Sequence, residues 1–353
     1  MISTGEHVGR RETDLQRWIL AIADDLTGAL ETGARFAEYG FPATVTTCHA
    51  FQSEPSAGVH VVDTESRHLP GQEAAAIVRA LGEAARRYDP WLIYKKTDST
   101  LRGNIAAEVR ALHEVWPERG IDYQAAYPAL GRIVRKGKLL VHGVEVHRTA
   151  FAFDALNPVR TCDIRVLLRD VPVTVRDGES DVDMDASAVA LFRAEPLPIA
   201  AGPAAFAGAL ARHLRPCGRM ARPMPCLPHC LVINGSRHPA SVAQIEYARE
   251  QGMFGGGWCY FDEAVEGDGL EWARQAGAAV RRRLESAPVK GLVVFGGDTA
   301  YGIHQALGAA PFEPWGEIVP GVPLSRCGGL YWITKAGGFG EPDILGEIGK
   351  RVS

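Results

Sequence analysis

The sequence predicts an α/β fold of two α/β domains with largely parallel sheets and a ligand cleft between them. Three observations lead to this prediction. Continuous apolar runs alternate with amphipathic stretches of helical spacing along the 353 residues, a pattern typical of open parallel sheets. The length corresponds to roughly two domains of average size. Several prolines fall between Pro216 and Pro228, and because proline interrupts both helices and inner strands, we place the domain boundary there.

This boundary divides the chain into four predicted segments. They are a polar N-terminal extension over 1–16, an N-terminal domain over 17–215, a proline-rich linker over 216–229 and a C-terminal domain over 230–353. Hydrophobic residues make up 46% of the sequence and charged residues 23%. This composition provides apolar surface for two cores and excludes a disordered chain.

Charge and cysteine content exclude several classes of function. The chain has 38 basic and 42 acidic residues, a net charge of −4, so we expect no nucleic-acid partner and no anionic membrane surface as partner. No apolar run approaches the ~20 residues that cross a bilayer, and the polar start lacks the apolar core of a signal peptide. Seven cysteines, an odd number, favour reduced thiols and therefore a cytoplasmic location.

In the predicted N-terminal domain, the first strand is Trp18–Ala23, an apolar run that suits burial on both faces. A helix follows over Thr27–Tyr39 and ends at Gly40. The acidic stretch Gly178–Asp185 is expected to be exposed, and Gly202–Leu214 to be a helix. The elements predicted between them are Gly58–Asp63, Gln72–Arg87, Trp91–Lys95, a helix with Ile105, Val109, Leu112 and Trp116 on one face, Asp122–Tyr127 and Leu139–Val141.

The predicted C-terminal domain repeats the alternation of strands and helices. Its apolar runs are short and bounded by glycine or proline, as expected of inner strands, and the stretches between them have helical spacing. The predicted elements are Leu231–Asn234, Pro239–Gln251, Gly257–Phe261, Leu270–Ser286, Gly291–Phe295, Thr299–Leu307, Leu330–Thr334 and a final helix.

The chemically informative residues follow the strands. Ala23–Gly28, Lys95–Asn104, Asn234–Arg237 and Gly296–Thr299 each begin where an apolar strand ends, and each opens a helix. Ligands bind outside the carboxyl ends of the strands in open α/β sheets. These four loops therefore mark the edges at which we expect ligands.

Asp24 and Asp25 are two adjacent carboxylates that follow a buried strand. Their charges repel each other and resist desolvation, so they persist more easily where a cation, a metal ion or sugar hydroxyls lie beside them. The alternative is that one carboxylate caps the next helix and the other is solvated.

Lys95–Asn104 holds the densest group of charged side chains near a strand end. Lys96 and Arg102 suit a carboxylate or phosphate ligand, and Asp98 can accept hydroxyl protons or orient Lys96. Gly103 lets the backbone approach a ligand, and the helix N-terminus that follows favours an anion. The alternative is a solvated loop with internal salt bridges.

The turn Gly296–Thr299 has the features of a phosphate cradle. Its glycines expose N–H groups where a helix begins, and Asp298 suits a magnesium ion. The turns at Gly235–Ser236 and Gly337–Gly338 have the same character. Glycine pairs also occur at strand–helix turns for steric reasons, so each turn alone is a weak signal.

Taken together, these loops resemble the four-carbon acid sugar kinase family over nearly the whole chain, from about Trp18 to Ile348. The first two motifs are long and specific, and the glycine turns support the resemblance through their order and spacing. The motifs are Ala23–Ala29, Lys96–Asn104, Tyr127–Arg132, Asp154–Val159, Gly235–Ser236, Gly296–Ala300 and Lys335–Gly340.

The resemblance implies an ATP-dependent kinase that phosphorylates the terminal hydroxyl of a four-carbon sugar acid such as threonate, erythronate or 3-oxo-tetronate. It implies that the N-terminal domain holds the sugar acid and the C-terminal domain the nucleotide, with ATP and Mg²⁺ as cofactors. The residues expected to bind the acid are Lys96, Ser99, Arg102, Asn104 and Arg132. Those expected to bind the nucleotide are Ser236, Gly296, Gly297, Asp298, Thr299, Gly337 and Gly338.

Phosphoryl transfer needs positioning and charge neutralisation more than covalent catalysis. One of Asp24, Asp25 and Asp98 is expected to accept or orient the terminal hydroxyl, with Asp25 favoured. Two alternatives stay open: a kinase for another small sugar acid, and a catalytically inactive regulator that binds a nucleotide or sugar acid. The second is motivated by Pro203, which stands where family members usually carry serine. The sequence also leaves the preferred acid and a homo-oligomer open.

Overall fold

Two main sheets with flanking helices make up most of the part of the chain that the structure describes. It is a computed structural model in which the described residues are 17–51, 57–215, 222–263, 265–267 and 269–352. The predicted extension 1–16 and the first part of the predicted linker lie outside them. Parallel pairs dominate both main sheets, and this confirms the predicted α/β class.

The chain divides into two compact units. The first comprises the described parts of Met1–Ala43 and Thr47–Met220, and the second those of Thr44–Thr46 and Ala221–Ser353. No helix in the described part of the chain is long and apolar enough to cross a membrane.

The first unit is built on a seven-stranded sheet beside a small three-stranded one. The seven strands are β1 (Trp18–Ala23), β2 (Ala43–Thr47), β3 (Gly58–Asp63), β4 (Leu92–Lys96), β5 (Ile121–Gln124), β9 (Val173–Arg176) and β10 (Ile199–Gly202). They lie in the order β2-β3-β1-β4-β10-β5-β9. The small antiparallel sheet consists of β6 (Arg132–Arg135), β7 (Lys138–Val141) and β8 (Val144–Glu145).

The helices of the first unit connect these strands. They are α1 (Leu26–Ala37), α2 (Gly71–Arg86), α3 (Ile105–Val115), α4 (Ile164–Leu167), α5 (Asp181–Phe192) and α6 (Ala204–Leu214). Short 3₁₀ turns lie at Cys48–Ala50, Pro128–Leu130, Val146–Arg148 and Ala150–Phe153. All six residues of β1 are buried, as its apolar sequence predicts. α1 begins where Asp25 Oδ1 accepts a hydrogen bond from Gly28 N at 3.0 Å, which is the helix cap that the sequence offered as one alternative.

The strand order places the candidate site. The chain builds β2 and β3 on one side of β1 and then crosses to β4 on the other side, so β1 and β4 form a topological switch point. In open α/β sheets, ligands bind at the carboxyl ends of strands at such a point. The loops after β1 and β4 begin at Asp24 and Thr97, so they lie at this position.

Three sequence-based predictions differ from the structure of the first unit. Gly178–Asp185, which we expected to be exposed, is exposed over residues 179–182, but Gly178 and Met184 are buried, and a capping box between Ser180 and Asp183 starts α5 within it. Gly202 ends a buried strand rather than starting a helix, and α6 begins only after Pro203. The strand predicted over Asp122–Tyr127 ends at Gln124.

The second unit has a six-stranded sheet with the order β12-β11-β13-β16-β15-β14. Its strands are β11 (Cys230–Asn234), β12 (Trp258–Tyr260), β13 (Gly291–Phe295), β14 (Glu313–Val319), β15 (Val322–Cys327) and β16 (Leu330–Lys335). Its helices are α7 (Pro239–Glu250), α8 (Gly269–Ser286), α9 (Gly297–Ala306) and α10 (Ile344–Val352). β12, β11, β13 and β16 are parallel, whereas β14 and β15 form an antiparallel edge that the sequence analysis did not identify.

The parallel strands of the second unit share a buried apolar core with α7 and α10. Val232, Val293 and Ile333, one from each of three neighbouring strands, are fully buried there, as are Ala248 and Ile348 from the helices. Because β11, β13 and β16 run in the same direction, the turns that follow them leave the sheet at the same edge.

Candidate functional site

Three loops of the first unit meet at the carboxyl end of its sheet. They follow β1, β3 and β4, which are neighbours in the strand order. Gly103 shows how closely these loops pack, because an added Cβ would lie 3.2 Å from Arg67 Cγ and 3.3 Å from Asp24 Oδ2. Its φ of +85° is also a conformation that favours glycine. Side chains that are far apart in the sequence are therefore neighbours at this edge, which we call the acidic rim and define by Asp24, Asp25 and Asp98.

Arg67 is the cation beside the two adjacent aspartates. Its Nε and Nη2 donate to Asp24 at 2.7 and 3.0 Å, and its Nη1 donates to Asp25 Oδ2 at 2.7 Å. Asp98 Oδ2 lies 3.9 Å from the same Nη1. Burial raises the pKa of Asp24, but Arg67 and two nearby lysines outweigh it and bring that pKa below its ordinary value. Arg67 is thus the cation beside the two adjacent carboxylates, one of the neighbours that the sequence led us to expect there.

Asp98 is surrounded by hydrogen-bond donors. It accepts from the backbone N–H and hydroxyl of Thr100, and from Arg102 Nε at 3.1 Å and Nη2 at 2.8 Å. Burial opposes its ionisation, yet the charges of Arg102 and Arg67 hold its pKa well below the ordinary value. Arg102 Nη1 also donates to Asp154 at 3.3 Å. These are internal salt bridges of the kind that one sequence-based alternative described, and they leave two N–H donors of the Arg102 guanidinium for a ligand.

Lys95 and Lys96 are adjacent and both buried, but their charges are balanced differently. Lys95 Nζ lies 2.9 Å from Glu108 Oε2 and donates to two backbone carbonyls. Lys96 is 4% exposed, and its ammonium has no hydrogen bond, and no carboxylate within 4.0 Å, among the described residues. It lies against Gly28, where an added Cβ would be 2.5 Å from Nζ. Lys96 is therefore a buried cation near the rim carboxylates that forms no ion pair with them within 4.0 Å.

The other residues expected to bind the acid have varied surroundings. Asn104 Nδ2 donates to the carbonyls of Ser66 at 3.0 Å and Leu69 at 2.8 Å, so this amide fixes the loop that carries Arg67. Ser99 is buried in the loop after β4. Arg132 is also buried, and burial lowers its pKa against the opposing charges of nearby acids, Asp98 first. Binding of a ligand by these residues stays a prediction.

Asp63 is a carboxyl group at this edge that the sequence analysis did not select. It ends β3 and is fully buried. Its Oδ1 accepts from Glu65 N at 3.0 Å, and its Oδ2 has no hydrogen-bond partner among the described residues. Burial, reinforced by the charge of Asp25, raises the pKa of Asp63 well above its ordinary value. The positional rule that selected Asp24 would have found Asp63 and Arg67, because both follow or end an apolar strand.

In the second unit, the turns after β11, β13 and β16 converge. A Cβ on Gly235 would lie 2.0 Å from Thr299 Oγ1. A Cβ on Gly337 would lie 2.3 Å from Ser236 Oγ, and one on Gly296 would lie 3.5 Å from Ser236 N. A side chain at Gly235 or Gly337 would collide with a neighbouring turn, so glycine allows the three turns to pack closely together.

The remaining residues predicted to bind a nucleotide lie in the same turns. Gly297 is the first residue of α9, and Asp298 follows in its first turn. No side chain caps α9, so N–H groups of its first turn remain available to an anion. Gly338 lies beside His238, whose Nε2 would be 3.3 Å from an added Cβ. The structure thus brings all of these residues to one edge, and their contacts with a nucleotide stay a prediction.

One cluster of potential metal ligands lies elsewhere in the described residues of the first unit. Atoms of Glu145, His147 and Cys162 lie within 4.8 Å of one another. Lys138 Nζ and Arg148 Nε lie 3.6 and 3.2 Å from the Glu145 carboxylate. Two cations already neutralise this carboxylate, so the cluster is poorly suited to a divalent ion.

Two family models match the chain. One describes a sugar-binding N-terminal domain and matches residues 19–171, and the other describes a nucleotide-binding C-terminal domain and matches residues 260–345. A D-threonate kinase from Bordetella bronchiseptica is 30% identical over 93% of this chain and 96% of its own length. A D-erythronate kinase from Heliobacterium modesticaldum is 38% identical over 40% of this chain and 33% of its own length.

Solved structures share the fold. One, described as a putative tRNA synthase from Salmonella typhimurium LT2, has a TM-score of 0.78 and 18% identity, with 94% of this chain and 98% of that chain covered. Another, from Bordetella bronchiseptica, is a domain-swapped dimer with bound citrate. It has a TM-score of 0.53 and 28% identity, with 95% of this chain and 98% of that chain covered.

Proposed function

This chain belongs to the four-carbon acid sugar kinase family, and we propose that it transfers the γ-phosphate of ATP to the terminal hydroxyl of a tetronate. It is a phosphotransferase whose acceptor is an alcohol group, as its relatives are named kinases. We take D-threonate as the first substrate to test, because a relative that is 30% identical over 96% of its own length is named for that acid.

The observation that carries the proposal is the buried, unpaired ammonium of Lys96. A charge removed from water is costly unless it meets a partner of opposite sign. Arg67, Arg102 and Lys95 already have carboxylate partners in the first unit, whereas Lys96 has none within 4.0 Å among the described residues. We infer that the substrate carboxylate binds Lys96. The bound citrate of the Bordetella bronchiseptica structure supports a small carboxylic acid as ligand of this fold.

We assign acceptance of the hydroxyl proton to Asp25. Arg67 binds both carboxylate oxygens of Asp24, and Asp98 is held by several donors with a pKa well below the ordinary value. Asp25 accepts a single bond from Arg67, at Oδ2, and one from the backbone of Gly28, at Oδ1. The Asp25 side chain is 15% exposed, more than those of Asp24 at 2% and Asp98 at 7%. It is therefore the rim carboxylate that a substrate hydroxyl reaches most readily, and a general base must lie within hydrogen-bond reach of the proton it takes.

We assign the nucleotide phosphates to the three glycine turns of the second unit. Glycine lets these turns pack closely at one edge, and the uncapped first turn of α9 there offers N–H groups that suit a polyphosphate. Mg²⁺ prefers oxygen ligands and usually takes one or two carboxylates beside phosphate oxygens and water. The Asp298 carboxylate and Thr299 hydroxyl provide such oxygens. When bound, Mg²⁺ neutralises phosphate charge during transfer.

The test compares two lysine variants by ADP release with D-threonate as the varied substrate. Lys96→Met should raise the KM for the acid by about 10- to 100-fold, since a hydrogen bond to a charged group contributes roughly 1.5–3 kcal/mol. Lys136→Met removes an exposed lysine of the same unit and should leave the KM unchanged. A normal KM for the Lys96→Met variant would contradict the binding of the substrate carboxylate by Lys96. A normal KM with a lowered kcat would instead place Lys96 at the transferred phosphoryl group.

A further inference from the structure

Lys335 is a second buried lysine that has no acidic partner. It ends β16 and is fully buried. Its ammonium donates to the Ser241 hydroxyl at 3.2 Å and to the backbone carbonyls of Ala336, Gly337 and Phe339 at 3.0, 3.2 and 2.9 Å. It also lies 4.5 Å from the centre of the Phe295 ring. Among the described residues no carboxylate lies within 4.0 Å of it.

These contacts orient carbonyl groups of the glycine-rich turn over residues 336–340 inward, towards the Lys335 ammonium. Ser241 Oγ also donates to the Gly337 carbonyl at 2.8 Å, and Gln244 Nε2 donates to the carbonyls of Phe339 and Gly340 at 2.8 and 2.7 Å. In a trans peptide the C=O and the following N–H point in opposite directions. Inward carbonyls at this turn therefore direct the next N–H groups outward.

The outward N–H groups are not used elsewhere in the protein. Those of Gly337, Gly338 and Gly340 donate to no acceptor among the described residues. Backbone N–H groups that point together into open space form an anion-binding concavity. Gly337 also lies against Ser236, so this concavity opens beside the other two glycine turns.

We propose that Lys335 is the positioning residue of the nucleotide site: its ammonium holds the carbonyls of the turn inward, so that the N–H groups of Gly337, Gly338 and Gly340 bind phosphate oxygens. This inference rests on the proposed function, because it assumes that the turn binds nucleotide phosphates. It assigns Lys335 no contact with the nucleotide. The positive charge of Lys335 lies behind the turn and stabilises the bound phosphates through it.

The protonation of Lys335 links this arrangement to pH. Burial lowers the pKa of Lys335 to about 7, so the amine loses its charge just above neutral pH. The titratable groups next to the turn include His238 at the start of α7, Asp298 in the first turn of α9 and Glu341 after the turn. None of them has a hydrogen bond or ion pair with the Lys335 ammonium. Bound phosphates favour the charged form, so nucleotide binding above pH 7 should take up a proton.

The experiment is calorimetric titration of the full chain with Mg·ADP at pH 7 and pH 8, in buffers of different ionisation enthalpy. We expect the wild-type protein to take up nearly one proton at pH 8 and to lose about fivefold in affinity between pH 7 and pH 8. Lys335→Met should bind more weakly at pH 7 and show neither proton uptake nor pH dependence. His238→Asn, whose amide oxygen can still accept from the helix N-terminus, should keep the wild-type proton uptake.

The outcomes separate this inference from the proposed function. A wild-type protein that binds no Mg·ADP contradicts the proposed nucleotide site and with it this inference. A wild-type protein that binds Mg·ADP without proton uptake contradicts the role of Lys335 alone. Proton uptake that persists in Lys335→Met but disappears in His238→Asn would also overturn it, because the titrating group would then be His238. Where Lys335→Met fails to fold, wild type and His238→Asn decide the question: proton uptake in both supports Lys335, and its absence from either one overturns the inference.

Discussion

Replacement of Arg67 by methionine tests how the acidic rim is stabilised. The variant keeps most of the side-chain volume but removes the donors that Asp24 and Asp25 share. Asp24 is 2% exposed and cannot recover its hydration. Removal of one partner from a buried ion pair typically costs about 3–5 kcal/mol. Lys96 remains near and offsets part of this loss, so we expect Arg67→Met to lower the free energy of unfolding by about 3–4 kcal/mol at pH 7.

The pH dependence identifies the cause of this loss. In the wild-type protein the pKa of Asp24 lies below its ordinary value, so its contribution is present above about pH 4 and is lost as the pH falls further. Without Arg67, burial raises the pKa of the rim carboxylates, and they take up protons as the pH falls towards that range. The difference in unfolding free energy between wild type and variant should therefore shrink to roughly 1 kcal/mol at pH 4.

The assay is urea denaturation followed by circular dichroism at pH 7 and pH 4. The matched control is Arg79→Met, which breaks an exposed pair with Glu114 and should cost less than about 1 kcal/mol. A loss below about 1 kcal/mol for Arg67→Met at pH 7, or a loss that is the same at pH 4, would refute the reasoning.

Four further substitutions test neighbouring side chains. Lys95→Met leaves Glu108 buried and unpaired and should lower the free energy of unfolding by about 3–5 kcal/mol, whereas Lys96→Met should change it by less than about 1 kcal/mol, both measured in urea. Asp63→Asn should become more stable relative to wild type as the pH rises from 5 to 8. The reason is that the pKa of the wild-type carboxyl is raised, so its burial costs more stability as the pH rises. A difference in urea midpoint between variant and wild type that stays constant over this range would contradict this. Asp25→Asn should lower kcat by about 100-fold or more with little change in the KM for ATP, and steady-state kinetics with an unchanged kcat would exclude Asp25 as the base.

The sequence was most informative where function depends on local chain geometry. Apolar runs such as β1 predict buried strands, and the polar loops after them predict the ligand-binding edge, because parallel strands align their carboxyl ends. Glycine turns such as Gly296–Thr299 were identified for the same reason. Asp25 as a helix cap is also a local property, since its partner is only three residues away.

The balance of charges could not be predicted, because it depends on contacts between distant segments. Arg67 reaches Asp24 across 43 positions, and Lys95 meets Glu108 from the following helix. Two lysines that are adjacent in the sequence therefore differ in their surroundings: Lys95 forms an ion pair with Glu108, and Lys96 forms no ion pair among the described residues. Elements were missed where the pattern was weak, as in the short strand Ile199–Gly202 and the antiparallel edge strands β14 and β15.

The proposed reaction is tested most directly by Mg²⁺-dependent ADP release from ATP with D-threonate, D-erythronate, L-threonate and 3-oxo-tetronate, each added separately to the full chain. We expect ADP release that depends on both Mg²⁺ and the acid, and that is fastest with one of these four acids. A slow release of ADP at the same rate with every acid and with none would contradict a kinase that acts on tetronates.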